Sequence, residues 1–213
     1  LVMPRAEKSL REHLRDTGGK LGVDDAVPIL IDLAQALISL ESGVVHRDLK
    51  PENILWHEDH WCLADFGIAR YAEATTDPDT HKFAKTPGYA APEQWREERA
   101  TNATDIYAFG VVAFEILEGN LPFPGPEFRE QHLNQPPPNL SDCSDYLASL
   151  IIECLRKPAA ARPKASNVLA RLHVSQQPVS AASSRLQDVN RTVVAKQSER
   201  EATLSAQQTC DRS

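Results

Sequence analysis

The sequence contains no apolar run long enough to cross a bilayer, because Asp32 and Gln35 interrupt its most apolar stretch at residues 29–40. A membrane-spanning helix needs about 20 apolar residues in succession, so we expect no membrane contact within this chain. Its 23 Lys and Arg residues are scattered and are outnumbered by 30 Asp and Glu, which gives a net charge of −7. An acidic chain without a basic patch is a poor match for nucleic acid, and we expect no such partner.

Cysteine is scarce: the four residues are Cys62, Cys143, Cys154 and Cys210. None forms a CxxC pair, so the spacing indicates neither a zinc site nor a disulfide framework. Free thiols are typical of a reducing compartment, which predicts a cytoplasmic location. We expect no signal peptide within this chain. It starts with Leu rather than Met, so we expect the protein's true start to lie upstream.

Hydrophobic periodicity predicts a mainly helical fold with one small β-hairpin. The helix at 104–117 is apolar on nearly all faces and should therefore be buried at the centre of the fold. Ser141 or Asp142 should cap the next long helix, and Pro163 should open the last one. The predicted helices cover residues 8–16, 24–40, 104–117, 141–155 and 163–173, with a short one between 119 and 140. The predicted strands cover residues 54–56 and 61–64, and residues 1–4 should end a further strand.

Two segments have little periodicity. Residues 65–101 predict a long ordered loop, and loops of that length in compact domains are usually functional. Residues 174–213 are rich in Gln, Ser, Ala and Thr and contain no aromatic residue. This composition predicts a flexible or weakly helical tail.

The stretch VHRDLKPENIL at residues 45–55 concentrates polar chemistry between apolar flanks. Asp48 could accept the proton of a substrate hydroxyl group, and Lys50 could neutralise a phosphoryl group. Asn53 and the later Asp65 offer oxygen ligands of the kind that Mg²⁺ prefers. The stretch therefore predicts a site for phosphate and metal chemistry.

Three motifs follow one another: His46-Arg47-Asp48 with Lys50 and Asn53, then Asp65-Phe66-Gly67, then Ala91-Pro92-Glu93. In their order and spacing the chain resembles a protein kinase, and the form HRDLKPEN resembles the bacterial-type serine/threonine branch. The resemblance implies transfer of the γ-phosphoryl group of ATP to Ser or Thr of protein substrates, with Mg²⁺ as cofactor. It covers the hinge and the large C-terminal lobe, residues 1–173, and leaves 174–213 as the tail.

The resemblance also implies roles for individual residues. Catalysis would use Asp48, Lys50 and Asn53, and the metal would bind Asn53 and Asp65. ATP would contact Pro4, Ala6, Lys50, Asn53, Leu55 and Asp65. Structural roles would fall to His46, Phe66, Gly67, Glu93, Asp105 and Arg162, with Glu93 paired to Arg162 and Asp105 bracing the catalytic loop. The activation segment would use Arg47, phosphate acceptors among Thr75, Thr76 and Thr80, and Thr86 beside Asp48.

A complete kinase also covers the ATP phosphates with a GxGxxG loop, and none of the nine glycines here forms that pattern. We therefore expect the smaller N-terminal lobe to be encoded upstream. Two functions stay open on the sequence alone. One is an active serine/threonine kinase of which this is a portion, inactive by itself, and the other is a non-catalytic kinase-like binding or scaffold module.

Overall fold

The computed structural model describes residues 6–41, 43–65, 70–71 and 86–176. The strand expected at residues 1–4 and nearly all of the expected tail lie outside this part. Within it, α-helices and a few short antiparallel strands form one fold, which confirms the expected mainly helical architecture. The helices are α1 (Leu10–Asp16), α2 (Val23–Leu40), α3 (Pro92–Trp95), α4 (Asn102–Glu118), α5 (Phe128–Asn134), α6 (Asp145–Cys154) and α7 (Ala165–Gln176). The strands are β1 (Lys8–Ser9), β2 (Val44–Val45), β3 (Ile54–His57), β4 (His60–Leu63) and β5 (Arg70–Tyr71).

Helix α4 forms the centre of the core, as its sequence predicted. Every residue from Thr104 to Leu117 is buried. Gly110 lets α6 approach closely, since a Cβ atom there would lie 2.9 Å from the Cβ of Cys154. Gly119, with a φ of +77°, ends the helix in the left-handed conformation that glycine adopts without strain. Helix α2 packs against α4, α7 and β4.

The predicted hairpin is present as β3 and β4, and β1 adds a third antiparallel strand in the order β1-β3-β4. Ser9 pairs with Leu55, and Trp56 pairs with Trp61. Strand β1 was missed, because it has two residues and no alternation to detect. Strands β2 and β5 pair with each other in a separate two-stranded antiparallel sheet.

Several predicted helix boundaries were wrong by one to four residues. Helix α1 begins at Leu10 rather than at residue 8, because Ser9 caps it and exchanges hydrogen bonds with Glu12 in a capping box. Helix α2 starts at Val23, one residue before the predicted start at residue 24.

Helix α6 is capped by Ser144, whose hydroxyl group accepts from the N–H of Leu147 at 3.3 Å. Ser141 and Asp142 are not its cap. Ser141 instead donates from its N–H and its hydroxyl group to the carboxylate of Glu118, at 2.7 and 2.9 Å.

The last helix, α7, begins at Ala165 rather than at Pro163 and continues to Gln176. The segment 65–101 is not wholly a loop, because it contains β5 and α3.

Among the described helices, none combines the length and the apolar character that crossing a bilayer requires.

Candidate active site

The loop between β2 and β3 carries a carboxylate that three side chains contact. Asp48 accepts from the hydroxyl group of Thr86 at 2.7 Å on Oδ1 and from the Nδ2 of Asn53 at 3.1 Å on Oδ2. The Nζ of Lys50 lies 2.7 Å from Oδ2 of Asp48 and also donates to the Thr86 hydroxyl group at 3.0 Å. The structure therefore brings together four residues that the sequence placed in one site.

The electrostatics of this cluster keep Asp48 ionised. Burial tends to raise the pKa of Asp48, but hydrogen bonds from Lys50, Thr86 and Asn53 outweigh it, so the pKa lies below its ordinary value. An ionised carboxylate has about four acceptor positions. It can therefore keep these partners and still accept a hydrogen bond from an incoming hydroxyl group.

The backbone that presents Asp48 is held from behind by α4. The carboxylate of Asp105 accepts from the N–H groups of His46 and Arg47, each at 2.8 Å, as the resemblance implied. Arg47 has a φ of +71°, a left-handed conformation that is strained for a residue other than glycine. Such conformations persist where the surrounding structure determines them, often at functional sites. Burial raises the pKa of Asp105, and the two N–H donors oppose that rise.

The proposed metal ligands lie on two adjoining segments. The N–H of Ala64 donates to the carbonyl of Asn53 at 2.8 Å, and the carbonyl of Ala64 accepts from Nε2 of His46 at 2.9 Å. Asp65 follows directly, is exposed and has a φ of +61°.

The Nδ2 group of Asn53 is committed to Asp48, where it donates to the backbone carbonyl at 2.8 Å as well as to the carboxylate. These bonds fix the amide, and its Oδ1 atom makes no hydrogen bond to a described residue and can serve as a ligand. The described residues contain no cluster of three or more His, Cys, Asp or Glu side chains suited to a metal. Mg²⁺ that is shared with substrate phosphates needs only one or two protein ligands, so Asn53 and Asp65 fit it.

The segment expected to contact adenine runs beside β3. The N–H of Glu7 donates to the carbonyl of Trp56 at 3.1 Å, and Ser9 lies opposite Leu55. Ala6 therefore lies shortly before the edge strand β1, and Leu55 lies on the adjoining central strand β3.

The expected ion pair between Glu93 of α3 and Arg162 is present and buried. Two nitrogens of Arg162 contact the two carboxylate oxygens of Glu93 at 2.7 and 2.8 Å. The other donors bind the carbonyls of Ala103, Arg156 and Lys157, so all five N–H groups of the guanidinium have partners. Although burial tends to raise the pKa of Glu93, the hydrogen bonds from Arg162 lower it overall.

Sequence reasoning missed a second network of charged and polar side chains, in which Tyr89 and Glu115 are buried. Arg11 of α1 contacts Glu52 at 2.7 Å, Glu115 at 2.8 Å and the hydroxyl group of Tyr89 at 2.6 Å, and that hydroxyl group donates to Glu115. Burial and the nearby Glu115 carboxylate raise the pKa of Tyr89, which keeps it neutral. The sequence signal for this network was Glu115, a charged residue within the apolar stretch of α4.

Gln94 was also missed, although it joins α3 to the catalytic loop. Its Nε2 donates to the carbonyl of Arg47 at 2.9 Å, while its Oε1 accepts from the N–H of Ala91. The remaining residues that the sequence assigned to the site lie outside the described part of the chain: Pro4, Phe66, Gly67, Thr75, Thr76 and Thr80.

The site therefore has a carboxylate beside Lys, Asn and Thr side chains, on a loop whose backbone is held by the central buried helix α4. Comparison with known proteins identifies a family with which this arrangement is consistent. A family model described as the protein kinase domain matches residues 1–174. The chain therefore belongs to the protein kinase family.

Individual relatives are serine/threonine-protein kinases. PkaA of Streptomyces coelicolor is 39% identical over 173 residues, which cover 78% of this chain and 32% of that protein. Serine/threonine-protein kinase pkn2 of Myxococcus xanthus is 35% identical over 188 residues, or 80% of this chain and 22% of the relative. PkaB of Streptomyces coelicolor is 35% identical over 177 residues, or 76% and 42%. The chain thus spans less than half the length of each of these three relatives.

Proposed function

We propose that this chain is the hinge and large lobe of an ATP-dependent protein kinase that phosphorylates Ser or Thr residues of protein substrates. The observation that carries the proposal is the Thr86 hydroxyl group, which donates to Asp48 and accepts from Lys50. A structural ion pair on a loop has no need of this third group. A surface that receives a substrate hydroxyl group beside a phosphoryl group needs the charges of Asp48 and Lys50 held at fixed positions.

In this mechanism the residues position and neutralise charge more than they form bonds. Asp48 orients the substrate hydroxyl group and accepts its proton, and its lowered pKa keeps it ready as a carboxylate. Lys50 balances the negative charge of the transferred group. Mg²⁺ bound by Asn53 and Asp65 would neutralise the ATP phosphates.

Phosphorylation at Thr75, Thr76 or Thr80 would pair with Arg47 and order the activation segment. Mass spectrometry of the active protein would identify the modified residue.

The described cysteines, Cys62, Cys143 and Cys154, are free thiols, which supports a cytoplasmic location.

The proposal assigns residues 1–173 to the kinase domain and residues 174–213 to a tail, although α7 continues to Gln176. The glycine-rich loop that the family places over the phosphates would come from a smaller lobe upstream. The second candidate, a non-catalytic kinase-like module, is favoured by one observation. The 213 residues contain no GxGxxG loop, so by themselves they offer donors on only one side of the transferred group.

The test is transfer of labelled phosphate from ATP to a protein substrate. We expect negligible transfer by the 213 residues alone and robust transfer by the longer protein that carries a glycine-rich loop upstream of residue 1. In that protein Asp48→Asn should reduce the rate by about 10²–10⁴-fold, because a general base is lost. Asp16→Asn, a matched change at an exposed position in α1, should leave the rate unchanged.

Two results would change the conclusion. A folded longer protein without transfer activity would favour the binding module. Robust transfer by the 213 residues alone would show that they contain a complete phosphate-binding site.

A further inference from the structure

A strained residue lies directly before Asp48, and two different helices hold its backbone. Arg47 has a left-handed φ of +71°. Its N–H donates to Oδ1 of Asp105 in α4 at 2.8 Å, and its carbonyl accepts from Nε2 of Gln94 in α3 at 2.9 Å. A left-handed residue other than glycine persists only where the surrounding structure determines it. These two hydrogen bonds are therefore contacts that maintain the conformation of Arg47.

The carbonyl of Arg47 belongs to the peptide group that joins this residue to Asp48. A return of Arg47 to an ordinary negative φ would swing this carbonyl and, with it, the backbone of Asp48. The carboxylate of Asp48 lies 2.7 Å from the hydroxyl oxygen of Thr86 and 2.7 Å from Nζ of Lys50, and such a swing would disturb both contacts. The bond from Gln94 opposes the swing, because a hydrogen bond favours one direction of the carbonyl.

Gln94 is itself held at both ends of its side-chain amide. Its Oε1 accepts from the N–H of Ala91, the residue before α3, at 2.9 Å. Only one orientation of the amide serves both contacts, because the N–H of Ala91 can only donate and the carbonyl of Arg47 can only accept. The neighbouring Glu93 anchors α3 through its buried pair with Arg162. Gln94 therefore holds Arg47 from a fixed support.

We propose that Gln94 is a positioning residue for phosphate transfer. Its Nε2–H group holds the carbonyl of Arg47, keeps Arg47 left-handed, and so fixes the backbone from which Asp48 reaches the substrate hydroxyl group. Gln94 acts through Arg47 rather than on the reacting atoms. The proposal names a further residue of the site, and it rests on the proposed function only for its effect on catalysis.

The first experiment measures hydrogen exchange in the full chain and requires no activity. Gln94→Glu keeps an acceptor for the N–H of Ala91 but cannot donate to Arg47 at about pH 8, where the carboxylate is ionised. Arg47 can then leave its left-handed conformation and lose its bond to Asp105. Its amide should exchange about tenfold faster, the effect of losing one hydrogen bond, while the amide of Ala91 stays protected. Gln94→Met loses both contacts, so both amides should exchange faster.

The matched control is Gln131→Glu in α5. Gln131 is half-buried like Gln94, and its Oε1 accepts from the N–H of Gly125 at 2.9 Å, a contact that a carboxylate can also make. This variant should leave exchange at Arg47 unchanged, and exchange in the middle of α4 should not change in any variant.

Two results of the exchange experiment would overturn the positioning role. One is unchanged exchange at Arg47 in folded Gln94→Glu, which decides the matter even if Gln94→Met does not fold. The other is equal acceleration at Arg47 and throughout α4, because it would show that Gln94 contributes only to the stability of the fold.

The second experiment measures steady-state kinetics in the active longer protein. Gln94→Glu should reduce kcat about tenfold, again the effect of one hydrogen bond, and leave KM for ATP unchanged, because only the placement of Asp48 is altered. Gln131→Glu should change neither quantity. An unchanged kcat in Gln94→Glu would overturn the positioning role. Absence of all transfer activity in the unmodified protein would instead refute the proposed function and leave the exchange results standing.

Discussion

Replacing Arg162 by Met should destabilise the fold more than any surface substitution. The change removes five hydrogen bonds and leaves the carboxylate of Glu93, which is 5% exposed, without its counter-charge. Breaking one side of a buried pair costs about 3–5 kcal/mol. The loss stays in this range because the orphaned Glu93 can take up a proton, and a neutral acid is far less costly to bury than a charge.

Thermal unfolding and urea unfolding, both followed by tryptophan fluorescence, measure the effect, and Trp95 lies two residues from Glu93. At about 2–4 °C per kcal/mol for a domain of this size, the melting temperature should fall by roughly 6–20 °C. Arg171→Met is the matched control, because Arg171 and Glu153 form a 2.8 Å pair whose side chains are 24% and 28% exposed. Removing such a pair costs about 1 kcal/mol or less.

The pH dependence follows from the lowered pKa of Glu93 in the folded state. The unfolded chain binds this proton more readily, so the stabilisation is complete above the unfolded pKa of about 4.3 and is lost as the pH falls through the folded pKa. The difference in unfolding free energy between the unmodified protein and Glu93→Gln should therefore shrink below about pH 4. If Arg162→Met and Arg171→Met cost the same, the ion pair does not stabilise the fold in this way.

Three further substitutions test other contacts. Asp105→Asn leaves one of two backbone N–H groups unpaired and should cost about 1–3 kcal/mol in thermal unfolding. In the longer protein it should also reduce phosphate transfer, and unchanged stability would contradict the bracing role. Ser144→Ala should cost about 1 kcal/mol by removing the cap of α6, and Ser141→Ala should cost less in the same assay, so the reverse order would refute the cap assignment. Gly110→Ala should cost about 1–3 kcal/mol because of the close approach of Cys154, and a neutral result in urea unfolding would mean that α6 moves freely.

Features carried by local pattern were predicted well from the sequence. Helix α4 was expected to be central because apolar residues cover all its faces, and the hairpin of β3 and β4 was expected from its short apolar runs and polar turn. The cluster of Asp48, Lys50 and Asn53 lies within six residues, so one loop brings these side chains together. The pairing of Glu93 with Arg162, 69 residues apart, came only from the family resemblance.

Features that depend on competition between partners were not predictable. Ser141 and Ser144 are equally good caps by residue type, but the carboxylate of Glu118 takes up the hydroxyl group of Ser141. Arg11 and Glu115 are separated by 104 positions, and nothing local indicates that they meet.

The first turn of α4 attaches three separate segments through three consecutive residues. The carbonyl of Ala103 binds Arg162, the hydroxyl group of Thr104 donates to Glu93 at 2.8 Å, and Asp105 holds the catalytic loop. A shift of this turn by one residue would release all three together. We therefore expect the loop that carries Asp48 to unfold together with the first turn of α4 rather than by itself. In the longer protein, thermal loss of phosphate transfer should then coincide with global unfolding in a single transition, with no folded but inactive state before it.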